Sequence, residues 1–321
     1  MAPDARQIGW LKLLLAPGFG PALIERLKLD PETLPELPDW RVADLERAGL
    51  APAVVRALKR PDADRMAACE AWLARPGHHL VSLDDALYPP LLRALADAPL
   101  ALFVNGRPDW LPHPQIAIVG SRNATSGGCE IARRFATEFT RRGLIVTSGL
   151  AAGIDAAAHR AALDAGGVTL AVGGTGPDQV YPARHRPLAL EIVDNGAVIS
   201  LFAPGVGPRP GHFPARNRII SGMSVGVVVI EAGTRSGSLI TARLAAEQGR
   251  EVFAVPGSIR NPMVRGCHQL IRDGARLVES ADEVLLAVAP LIDELAGELR
   301  GLLSRDAGQE PASGPQDQAG G

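Results

Sequence analysis

The chain has 321 residues, 46% of them hydrophobic, and a formal net charge of −2. That length accommodates one substantial core plus one or two small modules, and the hydrophobic content excludes a disordered chain. There is no 18-residue apolar run and no basic segment leading into an apolar one, so the expectation is a cytoplasmic protein without membrane insertion. Cys69, Cys129 and Cys267 are widely separated and form no CxxC pair, so neither a metal site nor a disulfide framework is expected.

Charge is informative once divided by region. Residues 1–110 carry net −2, residues 111–280 net +6, and residues 281–321 net −6. Every lysine or arginine in the basic middle is an arginine, whose planar fork suits phosphate. The competing explanation is compositional, since the whole chain holds three lysines.

In chain order, residues 1–75 read as a small helical module. Trp10, Leu11, Leu13 and Leu14 precede a PGFGP turn, after which Leu23, Ile24 and Leu27 continue at helical spacing. A second unit spans 42–58, broken by GLAP at 49–52. Such a module serves packing or protein contact, or offers turn amides to phosphate. The lack of a basic cluster favours packing.

Residues 76–113 form a connector rich in Pro and Leu, with strand-like edge pieces at 79–83 and 100–104. From 114 to 280 apolar strands alternate with helical patterns. Strands are expected at 116–119, 144–147, 168–172, 198–201, 225–230 and 252–255. Helices are expected at 128–142, 154–163, 187–194 and 238–248. This rhythm predicts an α/β domain with a doubly wound, mostly parallel sheet, whose ligand crevice lies at the carboxyl ends of the strands. Residues 281–321 are expected to give a short helix, at 282–303, and a disordered Gly/Pro/Gln-rich tail over 304–321.

The strand-end loops carry the chemistry. Gly120, Ser121 and Arg122 open GSRNATSGG, where amides at a helix start make an anion-binding concavity. This is not GxGxxG, and no acidic residue follows the second strand, which argues against a dinucleotide. Capping alone would also explain the loop. Ser148, Gly149 and Gly153 belong to TSGLAAGID; Asp155 and His159 lie four apart on one helical face, a spacing that fits a structural hydrogen bond better than proton transfer. The third loop, GGTGP, leads to Tyr181, Arg184, His185 and Arg186, which suit a base or a sugar-phosphate, or equally a packed loop with solvated charges.

FPARNR, residues 213–218, reads as a polar bend presenting Phe213, Arg216, Asn217 and Arg218. EAGTRSGS follows the central strand and supplies Ser236, Gly237 and Ser238 at another helix start. Several Gly/Ser/Arg loops at one sheet edge predict a phosphate-bearing ligand, without separating a nucleotide from a nucleic acid.

The ordered series GSRNATSGG, TSGLAAGIDAAAH, GGTGPDQVYP, FPARNRIISG, EAGTRSGSLITA and VPGSIRNPMVRGCHQLI resembles the DNA-processing protein A (DprA/Smf) family over about residues 80–279. The resemblance implies a Rossmann-like core behind a sterile-alpha-motif-like N-terminal module. It also implies single-stranded DNA binding that protects incoming DNA, self-association as a homodimer, and help in loading RecA recombinase during natural transformation. A single-stranded DNA-binding protein is a further implied partner; no cofactor and no enzymatic activity are implied. Arg122, Arg216 and Arg218 are then the expected phosphate contacts, helped by amides around Gly237. The family's GLARGID has Ala152 in place of its arginine here, and Ser-Glu after the fourth strand becomes Ser200-Leu201. The first departure implies either a weaker affinity for DNA or contacts moved to Arg184 and Arg186. Family members often carry a C-terminal winged helix; the 42 residues after Glu279 are not expected to hold a complete one.

Two other readings compete. One is a phosphoribohydrolase-like nucleotide-processing enzyme, for which EAGTRSGS is a partial match to a PGGxGT loop. The other is a degenerate scaffold acting through RecA contact.

Overall fold

The computed structural model describes residues 3–307, with side chains described to residue 301, so residues 308–321 of the expected tail lie outside the described residues. Nine strands form one mixed sheet: β1 (His78–Ser82), β2 (Ala101–Gly106), β3 (Gln115–Gly120), β4 (Ile145–Ser148), β5 (Thr169–Gly173), β6 (Ala197–Ser200), β7 (Gly226–Ile230), β8 (Glu251–Ala254) and β9 (Arg276–Leu277). Their order is β1-β2-β6-β5-β4-β3-β7-β8-β9. The β1–β2 and β2–β6 pairings are antiparallel and the other six are parallel. The connector 76–113 therefore supplies a hairpin that extends the sheet.

The inner strands are buried on both faces, which is why they read as continuous apolar runs rather than alternating ones. Ile116 and Ile118 of β3 pack with Phe135 and Phe139 of the helix Ser126–Arg141 and with the helix Ile154–Asp164. The two phenylalanine rings meet edge-on, centroids 5.9 Å apart. Ala117 and Val119 face the other way, against Ile219, Ile220 and Met223 of the helix His212–Met223 and Ala242 and Ala245 of the helix Ser238–Glu247. The helix Arg186–Asn195 covers Ala171 and Val198 on the first face.

The final helix, Ala281–Ala307, runs beyond the expected 282–303 and packs Val284, Val288 and Leu295 onto the first face. At the other end, Asp4 and Gln7 form a reciprocal capping box on the helix Ala5–Leu15. The apolar sides of the N-terminal helices share a core with Leu80, Ala101 and Phe103 of the β1–β2 hairpin, which seats them against the sheet edge.

FPARNR differs from its expected form. It lies inside the helix His212–Met223 rather than in a bend. Pro214 falls in the first turn, where a missing N–H costs nothing, and Ile219, Ile220 and Met223 recur at helical spacing to bury one side.

Candidate nucleic-acid interface

From β3 the sheet grows through β4, β5 and β6 on one side and through β7, β8 and β9 on the other. Loops leaving the carboxyl ends of adjacent β3 and β7 therefore part in opposite directions and leave a crevice. One buried carboxylate fixes its walls. Glu231 (φ +50°) accepts hydrogen bonds from Thr125 N at 2.7 Å, Thr125 Oγ1 at 2.6 Å and Asn261 Nδ2 at 3.3 Å. Its carbonyl accepts from Ser121 N at 2.7 Å. Thr125 in turn caps the helix Ser126–Arg141 by accepting from Gly128 N at 3.0 Å. A Cβ on Gly128 would stand 2.4 Å from Glu231 Cδ, so only glycine admits the carboxylate there. The loops after β3, β7 and β8 are thus held by one residue.

Arg216 forms the floor. Its side chain is buried, and a Cβ on Gly149 would stand 1.4 Å from its Nη1, so the guanidinium occupies the space the glycine leaves. Burial pushes the Arg216 pKa down to about 10, with nearby Asp155 opposing that fall and Arg122 adding to it. Asp155 accepts from Gly149 N at 3.1 Å and Ala151 N at 3.3 Å. Burial lifts its carboxyl above the usual range, resisted by Arg216, these amides and the Ser148 hydroxyl. His159 donates to or accepts from Thr169 Oγ1 at 2.7 Å, and burial, then Arg216 and His185, push its pKa down to about 3. The floor thus holds a neutral imidazole beside a cation. Arg216 Nε is buried without a hydrogen-bond partner among the described residues, a state shared by Arg218 Nε and Arg250 Nε, but of these three Arg216 is the one that lines the cleft.

The cleft above has a volume of about 610 Å³. Arg122, Arg235 and Arg265 stand exposed on its walls, and neither they nor Arg216 form an ion pair among the described residues. Opposite Arg122, the helix Ser238–Glu247 starts at the cleft with no side-chain cap. Ser238 N donates to Ser236 Oγ at 3.4 Å, and Leu239 N and Ile240 N to Ser236 O and Gly237 O at 3.1 Å, so what the helix start brings to an anion is the positive end of its dipole. At the mouth, the Arg122 guanidinium lies 5.2 Å from the Phe213 ring centroid, and the Tyr181 ring is 5.6 Å from that of Phe213. Ala152, Tyr181 and Arg184 line a smaller 250 Å³ cavity that shares Arg122, Phe213 and Arg216 with the main one.

Most of the residues expected at the site converge here. Gly120, Ser121, Arg122, Phe213, Arg216, Asn217, Ser236, Gly237 and Ser238 line the cleft, and Arg184 lines its side cavity. Asn217 Nδ2 donates to Gly237 O at 3.3 Å, joining two of the loops. Gly149 and Gly153 act beneath the surface: Gly153 (φ +76°) leaves 2.2 Å between a built Cβ and Ser121 O. Ser148 donates to Ile118 O at 2.6 Å and is fully buried.

Two arginines are not brought in. Arg218 pairs with Asp97 outside the cleft, and Arg186 lines a different groove. Arg235, Arg265 and the Glu231 clamp were not among the expected site residues. The two arginines sit in the strand-end loops of the +6 region, and that was the available signal.

The sequence profile described as DNA recombination-mediator protein A matches residues 79–289. The chain belongs to the DprA/Smf family. It is 50% identical to the protein Smf of Escherichia coli over 215 residues, which is 67% of this chain but 58% of that protein. It is 48% identical to DNA processing protein DprA of Streptococcus pneumoniae over 204 residues, 64% of this chain and 72% of the relative. The crystal structure of the pneumococcal DprA superposes with a TM-score of 0.76 at 37% identity, covering 89% of this chain and 98% of that one. DNA processing protein A of Helicobacter pylori, a structure described for its single-stranded DNA binding mode, gives 0.59 at 27% identity and covers 67% of this chain and 97% of that one. The Gly-, Ser- and Arg-bearing loops of this DprA/Smf chain all lie within the matched region.

Proposed function

We propose that the cleft holds the phosphate backbone of single-stranded DNA, without catalysis, in a cytoplasmic protein of Rossmann-like doubly wound architecture. The observation that carries this reading is Arg216, a buried guanidinium with an unpartnered Nε at the base of a cleft with three unpaired arginines on its walls. Phosphate charge would meet the Arg216 guanidinium and the arginines of the walls, and the helix start at Ser238 adds the positive end of its dipole. Contacts to backbone rather than base edges position a strand without reading its sequence. Ala152 and Arg184 line one cavity, which supports Arg184 as the substitute for the charge absent from position 152.

The relatives support a wider role. In it the protein acts as a homodimer, protects incoming DNA and helps load RecA recombinase during natural transformation, with a single-stranded DNA-binding protein as a further partner. Residues 1–75 serve as a sterile-alpha-motif-like packing module, 76–113 as connector and sheet edge, and 114–280 as the DNA-binding core.

The test is equilibrium binding to single- and double-stranded DNA of equal length across a salt titration. Four arginines neutralising phosphates predict a log–log salt slope of about −3 for the single strand. Salt-independent affinity, or no preference for the single strand, would reject the reading.

A further inference from the structure

A second groove, about 570 Å³, lies where the N-terminal helices meet the sheet edge. Trp72, Arg75 and His78 line it from one side, and Val180, Ala183 and Arg186 from the other. Its charge is one-sided. Arg75 and Arg186 are exposed and form no ion pair among the described residues. Asp178, the one carboxylate in the lining, accepts from Gly205 N at 2.9 Å, so part of its acceptor capacity is already engaged. One wall is rigid: Trp72 is 3% exposed and stacks on His78 with centroids 4.1 Å apart, and its buried indole N–H, like those of Trp10 and Trp110, has no partner among the described residues.

The groove lies across one short segment from the arginine cleft. Residues 177–186 separate the two like a saddle: Tyr181, Pro182 and Arg184 line the side cavity of the cleft, while Val180, Ala183 and Arg186 line the groove. The saddle is held in place. His185 Nδ1 lies 2.8 Å from Leu150 O, Thr175 Oγ1 donates to Gln179 O at 2.7 Å, and Gly176 N donates to Val206 O at 2.7 Å. Exposed Tyr181, on its crest, offers a flat face to a base.

We infer that a single DNA strand leaving the cleft continues over Tyr181 and Arg184 into this groove, so that Arg75 of the N-terminal module and Arg186 of the core hold further phosphates. The inference rests on the DNA reading of the cleft and adds a path, a longer footprint and a role for the N-terminal helices. Arg186, absent from the cleft, acquires its function here.

The experiment measures binding of the full chain to oligothymidylates of about 8 and about 30 nucleotides, the shorter matched to a single site. Wild-type protein binds the longer strand more tightly than the extra registers on it explain. Arg75→Glu with Arg186→Glu leaves the short strand within about twofold, removes most of the length advantage, and makes the long-strand salt slope shallower by about 1.4. Arg122→Glu weakens both strands. Exposed positions tolerate these changes, and unchanged thermal melting establishes that each variant folds; Arg186→Ala gives a milder second variant with the same direction of effect. The inference is overturned if the double variant binds the long strand as wild type does. Absence of binding to either oligonucleotide by the wild type overturns the cleft reading itself.

Discussion

In and beside the helices Ser126–Arg141 and Ile154–Asp164, Arg133, Arg141, Arg142 and Arg160 pair with Glu130, Glu138, Asp282 and Glu191. A short distance away, Arg122, Arg216, Arg235 and Arg265 surround the cleft and none has such a partner among the described residues. The residue type is the same, but the first set is neutralised locally while the second leaves its charge for a ligand. Surface pairs of the first kind contribute little to stability. A buried guanidinium whose Nε lacks an acceptor is costly even with the Asp155 charge nearby, which makes the cleft a place where binding an anion relieves an existing penalty. Net charge conceals this difference, because it sums both sets.

The comparison is broken most severely at Arg216. Arg216→Ala is expected to lower single-strand affinity by more than about tenfold. It also lowers stability by about 3 kcal/mol, because Asp155 loses its buried counter-charge. Binding isotherms and denaturant titrations check both; a variant with wild-type affinity would remove Arg216 from the site.

Acid tests the same floor. His159 has a folded pKa pushed down to about 3 from its ordinary 6.5, so over that interval the unfolded state binds the extra proton. This group's contribution is present above pH 6.5 and is lost as pH falls towards 3, with a slope approaching about 1.4 kcal/mol per pH unit. Urea titrations at several pH values measure it, and His159→Asn should flatten the profile.

Arg218 gives a smaller effect and sharpens the contrast within one helix. Arg218→Ala should change single-strand affinity by less than about threefold, against about tenfold, or 1.4 kcal/mol, for Arg122→Ala. Equal losses would mean that Asp97 does not withhold Arg218 from DNA.

The fold was largely legible because inner parallel strands bury both faces and so appear as apolar runs, as in VTLAV and GVVVI. The two-residue β9 left no such run, since Arg276 and Leu277 are both exposed. The site was legible as loops but not in its directions. FPARNR taken as a bend places Arg216 and Arg218 together; as helix, with 3.6 residues per turn, positions two apart point to nearly opposite sides. Glu231 was hidden for another reason. A carboxylate in an anion-binding loop looks misplaced until its bonds to Thr125 and Asn261 show that its charge is already engaged.

The most direct measurement compares two double variants of equal net charge: Arg122→Ala with Arg235→Ala in the cleft, and Arg133→Ala with Arg141→Ala on the outer helix. The cleft pair should lose about tenfold or more in single-strand affinity, with a salt slope shallower by about 1.4, while the outer pair remains within about twofold of wild type. Equal losses in both pairs would contradict the account, because binding would then follow the overall field of the protein rather than the unpaired arginines at the β3–β7 crevice.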